Sequence, residues 1–169
     1  QSVSPTNTTL GQIHQIGGPK GHAGGLPSVP PVIQFDARND YFDLNFHELR
    51  GSSTNVTEKS IYYQLIPIND MKGKWTDISF CLDFVNLNIS VWVNGEKKLN
   101  IDKAPINTNL KPSSIYFKHG IYRSFISKYK AKHGTEVMPT QIVYYDEIRR
   151  GSSINEVDFN INPNLTIID

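Results

Sequence analysis

From Pro31 to Leu49 apolar and polar residues alternate with period two, broken once by Asn39-Asp40. Ile33, Phe35 and Ala37, then Phe42, Leu44 and Phe46, fall on one face, while Gln34, Asp36 and Arg38, then Asp43, Asn45 and His47, fall on the other. A helix repeats every 3.6 residues and cannot sort such a run, so the segment reads as a β-hairpin with one greasy and one wet face. Trp75 to Val85 repeats the pattern, setting Ile78, Phe80, Leu82 and Phe84 against Asp77, Ser79, Cys81 and Asp83. Leu87 to Val93 follows, and Asn94-Gly95, a strong hairpin signal, returns the chain through Glu96 to Leu99. The remainder shows no long helical repeat, and the chain reads as all-β.

The other segments are shorter. Leu10 to Ile16 reads as a strand with Gln12 and His14 on one face and Ile13 on the other. Residues 17 to 31 are too rich in Gly and Pro for regular structure, and they lack the spacing and the Lys-Ser/Thr ending of a phosphate loop. Residues 50 to 55 read as a loop, Ser60 to Ile66 as a strand, and 69 to 73 as a turn. A turn-rich connection spans 103 to 114. Ser124 to Lys132 carries weak helical spacing and reads equally as a basic loop. Gln141 to Ile148 reads as a further strand, with one more short strand near Val157 to Phe159.

A chain of 169 residues fits a single domain able to bury a core without disulfides or a metal. Seventeen Lys and Arg against 16 Asp and Glu leave no strong field, so neither nucleic acid nor a membrane is expected as partner. The lone cysteine, Cys81, lies in an alternating apolar run and is expected to be a buried structural thiol. No stretch approaches the roughly 18 apolar residues of a membrane-spanning helix. The chain opens at Gln1 without an initiating Met or a signal peptide, which reads as a processed product or a fragment. Asn7, Asn55, Asn88 and Asn164 begin glycosylation sequons, short patterns that also arise by chance. His22, His47, His119 and His133 show no metal-ligand spacing, and no metal or cofactor is expected. Asp43 with Glu48, and Asp146 with Glu147, lack the disposition of glycosidase carboxylates, because sequence neighbours on a strand point to opposite faces.

The densest chemistry lies in Tyr116-Phe117-Lys118-His119-Gly120-Ile121-Tyr122-Arg123. On a strand, Tyr116, Lys118 and Tyr122 share one face, and Ile115, Phe117 and Ile121 the other. Gly120, between Lys118 and Tyr122, leaves room for a ligand to approach the backbone. Together with Gln12-Ile13-His14, this segment resembles the QIH and YFKxGxY motifs of jelly-roll polysaccharide lyases. Trp75-Thr76-Asp77 through Val91-Trp92-Val93-Asn94-Gly95 is similar to a meander of that fold, and Gln141 to Gly151 to its closing strand. Arg123 after Tyr122, and Tyr144-Tyr145-Asp146, make the resemblance strongest to the glucuronan lyase and heparin lyase I branch, with alginate lyases more distant.

The resemblance implies a β-jelly roll, a concanavalin A-like sandwich of two antiparallel sheets, with an anionic polysaccharide across its concave face. It also implies β-elimination on a uronic acid: a base removes the proton on C5, the C4 glycosidic oxygen leaves, and the carboxylate is neutralised or hydrogen-bonded to avoid a dianion. By that resemblance Gln12 bonds the carboxylate, Tyr122 acts as base, acid or both, and His14 is a second base or holds the tyrosine proton. Lys118, Arg38, Gln34 and Tyr116 are expected to bind substrate, Lys118 also serving as the cation that helps Tyr122 ionise. In glucuronate the C5 proton and C4 oxygen lie on one side, so one tyrosine serves both steps; guluronate or iduronate needs His14 as opposing base.

The family carries an Arg- or Asn-bearing strand ahead of its QIH strand, and only residues 1 to 9 precede that strand here. The expectation is therefore a sandwich shortened at its N-terminal side, monomeric or dimerising through an uncovered sheet edge. The resemblance also implies a secreted or periplasmic protein. The competing reading is a lectin-like binding domain that keeps the groove without catalysis, followed by a glycoside hydrolase on the same sandwich.

Overall fold

A computed structural model describes residues 4–16, 31–52, 55–105, 114–124 and 126–166. The Gly/Pro-rich segment 17–30 and most of the 103 to 114 connection lie outside the described residues. The chain divides into two compact units, one of Gln1–Asp70 with Pro105–Gln141, the other of Met71–Ala104 with Ile142–Asp169.

The first unit is a five-stranded antiparallel sheet. Its strands are β1 (Ser4–Ile16), β2 (Ile33–Asn39), β3 (Tyr41–Ser52), β4 (Asn55–Pro67) and β8 (Ser114–Arg123), in the order β4-β3-β2-β1-β8. The alternation read from sequence sets its register, Ile33 facing Phe46, Phe35 facing Leu44 and Ala37 facing Phe42. These six residues and Ile13 are each at most 9% exposed and form the apolar face, where Phe35 and Phe42 stack with centroids 6.1 Å apart. Each large side chain buried there contributes about 2 kcal/mol. Asn39, in the left-handed region at φ 55°, turns the tight β2–β3 corner.

The β3–β4 hairpin is longer than its sequence suggests. Pairing runs from Tyr41↔Pro67 to Ser52↔Asn55, so most of the expected 50 to 55 loop is ladder and the second strand starts five residues early. Leu49 and Val56, both buried, form a small apolar cluster that holds the far end of this hairpin together. The segment after β8 is the helix α1 (Ile126–His133), anchored by buried Tyr129, whose ring stacks on His133 at 4.4 Å.

The second unit holds a three-stranded meander, β5 (Ile78–Asp83), β6 (Asn88–Val93) and β7 (Glu96–Ile101). Ile89, Val91 and Val93 are at most 2% exposed. Asn94 and Gly95 both take positive φ (50° and 77°), as a two-residue hairpin turn requires. A Cβ on Gly95 would lie 2.6 Å from that of Asn160, so glycine is also required for close approach.

Three expectations are corrected in this unit. Gln141 to Ile148 forms no strand: Ile142, Tyr144 and Ile148 are 71%, 76% and 51% exposed, and Glu147 leaves extended geometry at φ 51°. Alternation without a partner strand has no ladder to stabilise it. Val157 to Phe159 is not a strand either, because Asp158 caps local backbone instead, its Oδ1 accepting from the N–H groups of Asn160 (2.9 Å) and Ile161 (3.3 Å) after a 3₁₀ turn at Ile154–Glu156. Cys81 is exposed, since it faces Ser90 on the polar side of the meander and not the valine side.

The fold class is all-β with two antiparallel sheets, the components of a jelly-roll sandwich. Among the described residues no helix is long and apolar enough to cross a membrane.

Candidate active site

Strand β1 lies between β2 and β8, so its wet face meets theirs on both sides. Gln12 pairs with Lys118 on β8 and Gln34 on β2, and Gln34 pairs in turn with Asn45 on β3. His14 pairs with Tyr116, their rings 5.6 Å apart, and Lys118 Nζ lies 5.0 Å from the Tyr116 ring centre. On β1 an extra residue at Leu10 bulges between Thr9 and Gly11. The bulge returns Thr9 to the face of Gln12 and His14 despite its odd position, where its hydroxyl donates to Asp36 Oδ1 at 2.6 Å.

Tyr122 pairs with Thr9. It therefore sits five positions along β1 from the Tyr116–His14 pair, one of them the bulged residue, which is about 13 to 16 Å at a rise of about 3.3 Å per residue. Between these points opens a shallow cleft of about 140 Å³, lined by Thr9, Gly11, Gln12, Lys118, Gly120 and Tyr122 among others. Gly120 has φ 137°, a conformation natural only to glycine, and nothing lies within 4 Å of where its Cβ would be. The structure thus brings Gln12, Lys118 and Tyr122 to one opening and sets His14 with Tyr116 beside it.

Gln34 and Arg38 share this face but are engaged within the sheet. Arg38 Nε donates to Asp43 Oδ2 at 3.1 Å, and its guanidinium lies 3.7 Å from the centre of the Tyr62 ring. Gln34 Oε1 lies 2.9 Å from His47 Nε2 and 3.4 Å from Asn45 Nδ2. Arg123 donates to the Pro139 carbonyl at 3.1 Å.

Several polar residues that motif reading did not assign lie under this face. Asp36 and Asp43 pair directly across β2 and β3, each 1% exposed. Burial pushes both carboxyls up; hydrogen bonds from Thr9 and Asn45 with the charges of His47 and Arg38 pull Asp36 back, and Arg38 pulls Asp43 back. His47 Nδ1 meets Glu58 Oε1, a hydrogen bond that holds the Glu58 carboxyl below its usual range against the opposing effect of burial. Among the described residues no group of three or more His, Cys, Asp or Glu is placed to hold a metal ion.

A family model described as Polysaccharide lyase matches residues 1–149. The chain belongs to the polysaccharide lyase family. No curated protein and no solved structure matches it. The match to this lyase family spans the whole five-stranded sheet, including both motif-bearing strands and the cleft between them.

The polar layer of this lyase-family chain had a partial signal in its sequence. The alternation already put Asp36, Asp43, Asn45 and His47 on the face of Gln34 and Arg38. What the motifs could not supply was the cross-strand neighbourhood, which depends on register with β4 and on the bulge at Leu10.

Proposed function

We propose that this lyase-family protein cleaves a uronic-acid polysaccharide by β-elimination, with the reacting sugar over Gly120. The observation that carries the reading is the convergence of Gln12, Lys118 and Tyr122 on one cleft. The amide of Gln12 donates to the uronate carboxylate and disperses the charge that grows as the C5 proton leaves. A free phenol ionises near pH 10, so a tyrosine base needs a neighbouring cation, and Lys118 lines the same opening. Tyr122 takes the C5 proton, the C4–O bond breaks as the C4=C5 double bond forms, and the same tyrosine returns the proton to the departing oxygen.

The offset of His14 from Tyr122 favours glucuronate-type stereochemistry, in which one group on one side serves both steps. Among the described residues, His14, the base that iduronate or guluronate would call on, pairs with Tyr116 and not with Tyr122. Tyr116, His14 and Gln34 then contact neighbouring sugars of the polymer. Such polymers lie outside cells, and the protein is assigned a secreted or periplasmic location on that ground.

The test is incubation with glucuronan, heparin, heparan sulfate and alginate, following the ultraviolet absorbance of the unsaturated product. Product from glucuronan that disappears in Tyr122→Phe supports the reading. Oligosaccharide binding in calorimetry with no product from any polymer would replace it with a lectin-like role.

A further inference from the structure

Gln34 stands beside Gln12 on the sugar-facing side of the sheet, and which end of its amide faces outward depends on His47. The imidazole is gripped from both sides, Nδ1 by Glu58 Oε1 from β4 and Nε2 by Gln34 Oε1 from β2 at 2.9 Å. A carboxylate only accepts, so Nδ1 carries a hydrogen toward Glu58. Two groups meet Nε2: Asn45 Nδ2, a donor at 3.2 Å, makes the contact of a neutral ring, while Gln34 Oε1, an acceptor at 2.9 Å, makes the contact of an imidazolium. In that state Gln34 Oε1 receives two donors, His47 Nε2 and Asn45 Nδ2 at 3.4 Å, and its own NH2 is turned away from them. Among the described residues that NH2 meets no acceptor.

Loss of the Nε2 proton reverses the arrangement. The bare nitrogen becomes an acceptor, and two acceptors 2.9 Å apart repel each other. Asn45 Nδ2 lies 3.2 Å from this nitrogen and can transfer its hydrogen bond there, or the amide of Gln34 can rotate to donate to it. The first route strips Gln34 Oε1 of both donors and so favours the second, in which rotation turns the oxygen outward to oppose an anionic sugar. The charged groups facing His47 are Glu58 on β4 and Asp36 on β2, with Arg38 and Asp43 further along the same face.

We infer that Glu58, His47 and Asn45 form a proton-operated positioning device that presents the amide N–H of Gln34 to an anionic substrate when His47 is charged and withdraws it when His47 is neutral. Only the identity of the ligand rests on the lyase reading; the coupling of His47 to Gln34 does not. His47 is a positioning residue, acting through Gln34.

The test uses nitrogen-15-labelled protein across a pH series, following the ring nitrogens of His47 and the side-chain amide of Gln34, the latter assigned by its absence in Gln34→Leu. In parallel, calorimetry measures a glucuronate oligosaccharide on Tyr122→Phe protein, which cannot cut it. The Gln34 amide should shift with the same midpoint as His47, and affinity should fall about tenfold above that midpoint, the worth of one hydrogen bond to a charged group. His47→Gln, neutral at every pH, should abolish the pH dependence; Glu58→Gln should weaken it and serves if His47→Gln does not fold. An amide that ignores the titration of His47 would overturn the device, as would a pH dependence of binding that survives both substitutions. Coupled resonances with no oligosaccharide bound at any pH would instead sink the lyase reading and leave the device standing.

Discussion

His14 faces Tyr116 across the β1–β8 ladder with ring centroids 5.6 Å apart, while Tyr122 faces Thr9. The motif's two tyrosines therefore occupy different stations on one surface and should fail differently. Tyr122→Phe is expected to lower kcat by about 10²- to 10⁴-fold, the usual worth of a positioned proton-transfer group. Tyr116→Phe and His14→Ala should raise KM and leave kcat within a few fold. Steady-state kinetics on glucuronan separates the cases; a collapse of kcat in His14→Ala would restore the histidine to the chemical step.

The paired acids Asp36 and Asp43 should shape stability against pH in an unusual direction. Because burial raises both carboxyls, the folded state holds its protons to higher pH than the unfolded chain does. Stability from these two groups therefore falls as pH rises from the ordinary carboxylate range through their raised values. Glu58, held low by His47, contributes with the opposite sign, losing its stabilisation as the medium turns acid. Asp36→Asn keeps an oxygen for the Thr9 hydroxyl and should raise the urea midpoint at neutral pH more than at pH 4. Equal shifts at both values would show that Asp36 is not the titrating group.

Arg38 is the cation that makes a buried Asp43 tolerable, and it stacks on Tyr62 as well. Its side chain is 29% exposed, so Arg38→Ala should cost about 2 kcal/mol, less than breaking a fully buried pair. Asp43→Asn in the same chain should recover much of the loss. Additive effects in this double-mutant cycle, read from denaturant unfolding, would mean that the pair is not coupled.

Gly120→Ala tests the cleft floor. No atom obstructs the added methyl, so the cost is the backbone's alone, about 1 to 3 kcal/mol for an L-residue at φ 137°. Activity should fall by more than that stability change explains, because the methyl projects where the sugar is proposed to lie. Retention of full kcat/KM would move the substrate elsewhere.

Cys81 offers a simple check on the second unit. An exposed thiol should react with an aromatic disulfide reagent in native protein as fast as in unfolded protein, and Cys81→Ser should leave the unfolding midpoint unchanged within about 0.5 kcal/mol. Protection of the thiol would reverse its assigned face.

Much of the first sheet was legible because its strands carry their own parity: Ile33 to Phe46 specifies a face at every position, and Asn39 marks the corner. The same parity grouped Lys118 with Tyr122 and Gln12 with His14, and the β1–β8 register sets the two groups on one side. Parity could not say which residue meets which across strands, so the pairing of His14 with Tyr116 and the engagement of Gln34 by His47 emerged only with the register. Parity misled where the described residues offer no partner strand, as from Gln141 to Ile148, and where residue type was weighed above face, as at Cys81.

The added residue at Leu10 has a bearing on chain length. Against β2, Thr9 to Gln12 spends three steps where the neighbour spends two, but against β8 it spends three where that strand spends four, so excising Leu10 would even the count on one side and widen the mismatch on the other to two residues. A deletion that inverts an ordinary strand should here leave the amide and the imidazole facing the sugar. The cost of such a shortening would fall on the seam with β8, where Tyr122 would have to find a new station beside Gln12.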